Sequence, residues 1–69
     1  MDRVSTFYIQ MEYRIGHKLR SMGATSIDKA VAIEEVGLDM QEINWLDCVA
    51  GGLFARVKKT RNKRYYAMP

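Results

Sequence analysis

A chain of 69 residues with 48% apolar content and a net charge of +3 has room for one domain built around one core, spanning residues 1–69. Its only cysteine, Cys48, excludes an internal disulfide, and a single histidine, His17, leaves no cysteine/histidine set for a structural zinc. No apolar run approaches the roughly 18 residues of a membrane span, and the Met-Asp-Arg-Val opening lacks a leader's apolar stretch, so the expectation is a cytoplasmic protein with no membrane contact, no metal and no cofactor.

Val4, Tyr8, Met11, Ile15, Leu19 and Met22 recur at steps of three and four, which predicts a first helix over about 4–22. Asp2 or Ser5 suits its start, Gly23 suits its stop, and the interior Gly16 either marks a close helix crossing or is merely tolerated. Thr25 to Asp28 offer capping oxygens for a short second helix, about 30–36, whose apolar residues include Val31, Ile33 and Val36 and which Gly37 ends. Asp39 followed by Glu42 has the form of a capping box opening a third helix, about 40–50, with an inward stripe of Leu38, Ile43, Leu46 and Ala50 or Val49. Gly51-Gly52 stops that helix. Alternation of Leu53, Ala55 and Val57 with Phe54, Arg56 and Lys58, then Arg64-Tyr65-Tyr66-Ala67 after a polar loop, predicts a β-hairpin over about 53–67. With Asn62-Lys63 where Asn-Gly would be the stronger turn signal, a longer and mobile loop is expected between its strands.

Charge is distributed unevenly along this order. Residues 1–52 carry five basic groups and all eight acids, whereas 53–69 carry Arg56, Lys58, Lys59, Arg61, Lys63 and Arg64 with no acid. A concentrated basic surface attracts a polyanion even when the total charge is small. Its alternative use is a solvated hairpin whose charges discourage edge-to-edge aggregation. Alternation allows only one of Tyr65 and Tyr66 to face outward, and Tyr66 is read as that one. Trp45 and Cys48 read as packing residues, and His17 as an ordinary surface histidine.

Ile33 to Asp39, then Ile43, Leu46 and Ala50-Gly51-Gly52-Leu53, and finally Arg56-Val57 with Arg64-Tyr65-Tyr66, together resemble winged helix-turn-helix DNA-binding domains, most of all small archaeal regulators of that kind. The resemblance implies a mainly helical α+β fold, three helices followed by a two-stranded wing, with a recognition helix at Met40 to Ala50 and a wing tip at Lys59 to Lys63. It also implies a DNA-binding transcriptional regulator: Gln41 and Asn44 would approach base edges in double-stranded DNA, while Arg56, Lys58, Lys59, Arg61, Lys63, Arg64 and Tyr66 meet phosphates or the minor groove. The third helix departs from this pattern, because Asp39, Glu42 and Asp47 give it three acids and no base. An interaction module that presents this acidic helix to a protein partner is therefore the competing expectation. RNA binding through the hairpin is a third, and the aromatic first helix, with Phe7, Tyr8 and Tyr13, makes a homodimer attractive. No phosphate-binding glycine loop, nucleophile elbow or paired-histidine helix is present, and adjacent Glu34 and Glu35 diverge by about 100° on a helix, so catalysis is not expected.

Overall fold

The computed structural model describes residues 3–52 and 55–69, with side chains from Thr6 onward in the first helix. Helix α1 runs Arg3–Ser21 and α2 runs Met40–Ala50; three strands, β1 (Val31–Ala32), β2 (Val57–Lys59) and β3 (Arg64–Ala67), form one antiparallel sheet in the order β1-β3-β2.

Helix α1 forms because Met11, Ile15 and Leu19 stand four residues apart on one face, and all three are almost wholly removed from water. It stops at Gly23, whose φ of +84° is left-handed backbone that a residue without Cβ adopts freely. Gly23 N–H donates to the Arg20 carbonyl and Ala24 N–H to the Leu19 carbonyl, each at 3.0 Å, the paired bonds of a Schellman end. Helix α2 opens with the expected capping box: Asp39 Oδ1 accepts from Glu42 N–H at 2.8 Å, and Glu42 Oε1 accepts from Asp39 N–H at 3.0 Å. The core joins Met11, Ile15 and Leu19 of α1 to Leu46 and Val49 of α2 and to Val57, Tyr65 and Ala67 of the sheet.

This architecture corrects the expectation of three helices and a two-stranded wing: the described residues form two α-helices and a three-stranded sheet. Residues 30–36 are not a helix. Val31–Ala32 pair with β3, with Val31 opposite Tyr65 and Ala32 opposite Arg64, and Ile33–Glu35 make a single 3₁₀ turn. The reason is length and residue type. Seven residues are too few to offset helix nucleation, and the β-branched Val31 and Ile33 suit an extended backbone that can use the free edge of β3. The preceding loop follows the same edge, where Ala67 N–H donates to the Ala24 carbonyl at 2.9 Å.

The inward stripe of α2 is rotated from the one expected. Glu42, Leu46 and Val49 are buried and Trp45 packs edge-on against Phe7, with ring centroids 5.1 Å apart, while Ile43 is exposed and Ala50 half-buried. Cys48 is also exposed rather than buried, because it lies on the far side of α2 from Leu46. On α1, Met22 is exposed past the last helical residue, and a Cβ at the buried Gly16 would first meet the Arg20 guanidinium, at 3.1 Å. Expected roles for Asp2, the side chains of Val4 and Ser5, Leu53 and Phe54 fall outside the described residues. Among the described residues no helix is long and apolar enough to cross a membrane.

Candidate nucleic-acid interface

The β2–β3 turn begins with a hydrogen bond from Lys63 N–H to the Thr60 carbonyl, and Thr60 N–H closes the hairpin on the Arg64 carbonyl at 2.8 Å. Thr60 Oγ1 accepts from the N–H groups of both Asn62 and Arg64, at 3.2 and 3.1 Å. This is a three-residue turn with a left-handed third position, not the long mobile loop that the missing Asn-Gly suggested. The left-handed residue is Lys63, at φ +60°. Such backbone costs a side-chain-bearing residue about 1–2 kcal/mol, so a lysine here retains a charge at the turn tip against a conformational penalty. Lys63→Gly is expected to raise stability by about 0.5–1 kcal/mol, the relieved strain less the entropy of a freer unfolded chain. A higher urea midpoint checks this; an unchanged or lower one would mean the turn carries no strain.

Strand register sorts the remaining side chains. Val57 pairs with Ala67 and Lys59 with Tyr65, and Val57, Ala67 and Tyr65 are buried on the face that meets the helices. Lys58 pairs with Tyr66 and Ala32 with Arg64, which alternation places on the opposite face. Tyr66 is thus the tyrosine on the outer face, half-buried where it packs against the core's margin, and Tyr65 the buried one. Arg61, Lys63 and Arg64 are exposed around the turn, and none of their side chains, nor that of Lys58, meets a carboxylate among the described residues. Arg64 Nη1 reaches only the Ala30 carbonyl, at 3.5 Å.

Two of the six basic residues separate from this group. Lys59 Nζ contacts Asp47 Oδ1 at 3.3 Å and lies 5.8 Å from the centre of the Tyr65 ring. Arg56 lies at the other end of the hairpin, lining a cleft with Ile9, Glu12 and Tyr13 of α1, and its backbone N–H donates to Glu12. The whole of β2, roughly 10 Å of extended chain, lies between it and the turn that carries Arg61.

The acids of α2 are engaged within the fold. Asp39 caps the helix and accepts from Arg14 Nη2 at 3.0 Å. Glu42 is fully buried; its Oε1 accepts from Lys18 Nζ at 2.6 Å, while Arg14 Nε stands 3.1 Å from Oε2 without the alignment of a hydrogen bond. Burial pushes the Glu42 carboxyl up, but the Lys18 hydrogen bond, the Asp39 N–H and the Lys18 charge together outweigh it and hold the group below its ordinary value. Asp47 accepts from the Tyr65 hydroxyl at 3.0 Å as well as from Lys59, and these two bonds lower its pKa. Burial, and then the bond to Asp47, raise that of Tyr65.

What remains exposed on α2 is a stripe of Met40, Gln41, Ile43, Asn44, Asp47 and Cys48, within an arc of about 160° at 3.6 residues per turn. The Asp47 bonds to Lys59 and Tyr65 set this stripe beside the β2 edge of the sheet. Gln41 and Asn44 thus share one exposed stripe with Asp47, the residue of it that touches the hairpin. Sequence reasoning missed Thr60, whose hydroxyl shapes the turn, and Ile27, which stands 63% exposed in a 3₁₀ turn beside it. A threonine at the start of a polar loop was the available signal for the first; nothing in the local pattern marked the second. The chain matches no family model, no curated protein and no solved structure.

Proposed function

We propose that the protein binds nucleic acid, double-stranded DNA in the first instance, through the cations of the β2–β3 hairpin, with Gln41 and Asn44 of α2 approaching base edges. The observation that carries this reading is the cluster of Lys58, Arg61, Lys63 and Arg64, none paired with a carboxylate among the described residues and one held in left-handed backbone. Phosphates supply the counter-charge that the fold does not. The acids of α2 offer less opposition than their number suggested, since Asp39, Glu42 and Asp47 each engage a cation within the fold. A transcriptional regulator is the role that such a surface serves most directly, and a homodimer would present two copies of it to a palindromic site.

The test is fluorescence anisotropy of mixed-sequence duplex DNA across a salt series. Four neutralised phosphates give a slope of log affinity against log salt near −3.6, and a fifth at Arg56 brings it to about −4.5. The Arg61→Glu/Lys63→Glu variant is expected to bind at least about a hundredfold more weakly at low salt, on every sequence alike. A slope near zero, or a variant that binds like the parent, would sink this mechanism. Because Met40 is 74% and Ile43 42% exposed on the same stripe, the absence of binding to duplex and single strands alike would move the reading to a protein partner docked on α2.

A further inference from the structure

The turn of the hairpin and the 3₁₀ turn Ile27–Lys29 stand on either side of an open cleft of about 370 Å³, walled by Ile27, Arg61 and Asn62 and lined also by Ala30, Thr60 and Arg64. That volume lies at the lower end of the ~300–1,000 Å³ range of small-molecule sites, the size class of one nucleotide. Its chemistry is divided. Arg61 and Arg64 supply guanidinium groups, and the Thr60 hydroxyl, whose oxygen already accepts from Asn62 and Arg64, still has a proton to donate. On the other side Ile27 offers an apolar wall that is 63% exposed. Two residues beyond Arg64, on the same face of β3, stands Tyr66, with Lys58 directly opposite it. Cleft and tyrosine form one surface, joined by Arg64.

We propose that this surface holds an unpaired stretch of nucleic acid: one nucleotide in the cleft, its phosphate between Arg61 and Arg64 and its base or sugar against Ile27, and the next base stacked on Tyr66 with Lys58 at its phosphate. A base within a duplex is already stacked on both sides and cannot present its face to a tyrosine; an unpaired base can. The mixed lining fits the same ligand, since a polyanion alone would find no use for Ile27 and an apolar peptide none for two arginines. This inference rests on the nucleic-acid reading above and names the form of nucleic acid that the sheet face takes.

The experiment is anisotropy with dye-labelled oligothymidylate, oligouridylate of equal length and a mixed-sequence duplex, using the parent chain and the variants Tyr66→Ala, Tyr66→Phe and Ile27→Ser. Both single strands, or one of them if the sugar is discriminated, are expected to bind at least as tightly as the duplex. Tyr66→Ala should weaken single-strand binding by about tenfold and Tyr66→Phe, which keeps the ring, by no more than about twofold. Ile27→Ser, at an exposed position that leaves the core intact, should weaken it by about fivefold and leave duplex binding unchanged; it carries the test alone if Tyr66→Ala does not fold. Duplex binding without single-strand binding, or single-strand binding that ignores Ile27→Ser and Tyr66→Ala, overturns this inference and leaves the duplex reading standing. Failure of every probe to bind at low salt overturns both.

Discussion

Lys18→Met is expected to cost about 3 kcal/mol of stability and to lower Tm by roughly 12–24 °C. The substitution leaves the Glu42 carboxylate fully buried and takes away its 2.6 Å partner. A buried ion stripped of its counter-charge typically costs 3–5 kcal/mol, and the lower end applies because Arg14 remains 3.1 Å from the second oxygen. Glu42→Gln should cost less, since the cations it strands are each more than a third exposed and return to water. In the double variant Lys18→Met/Glu42→Leu no charge is stranded, so part of the loss should be recovered. Thermal melts of the three proteins decide this; if Lys18→Met melted within about 3 °C of the parent, the Lys18 contact would not be what holds Glu42.

The same ion pair predicts the response to acid. The Glu42 carboxyl lies below its ordinary value of 4.5 in the folded chain, so its contribution is fully present above that value. It is lost as pH falls through the lower, folded value, where the native carboxylate is itself protonated. Urea midpoints should therefore decline below about pH 4.5, and the decline should be shallower in the Lys18→Met/Glu42→Leu variant.

Ile15→Ala is expected to cost about 3–4 kcal/mol. Ile15 is 0% exposed in the cluster that also contains Leu46, Val49, Val57 and Tyr65, so its truncation leaves a void in the core that α1 shares with α2 and the sheet. A domain of this length has a total stability of only roughly 3–10 kcal/mol, so the variant should lose a third or more of its urea midpoint. Its binding consequence is indirect. The turn cations are held in place by strands whose inner face packs on α1, and Ile15→Ala should weaken DNA binding only in proportion to the fraction unfolded. A variant that is folded by circular dichroism yet binds tenfold more weakly would show that α1 shapes the interface in some further way.

Much of the local structure was legible in the chain because it depends on near neighbours. The spacing of Met11, Ile15 and Leu19, the left-handed stop at Gly23 and the reciprocal bonds of Asp39 and Glu42 are decided within one or two helical turns. Segment 30–36 was not legible, since its β-branched residues take an extended form on meeting the edge of β3, more than thirty residues further along. The stripe of α2 was misread for a related reason. Hydropathy put Ile43 in the inward stripe and left Glu42 out of it, but Lys18 and Arg14 make burial of a carboxylate tolerable at that place.

By itself the sequence determined that six basic residues and no acid fall in the last seventeen positions, and that helices over about 4–22 and 40–50 precede them, because charge content and helical period belong to the chain whatever its fold. Tertiary structure alone decided which of those charges are available. Register placed Lys58, Arg64 and Tyr66 on the face opposite Tyr65, the Asp47 contact engaged Lys59, and the tight turn set Arg61 beside Ile27. Availability is a matter of distance between groups remote in sequence, and only the packed chain has such distances.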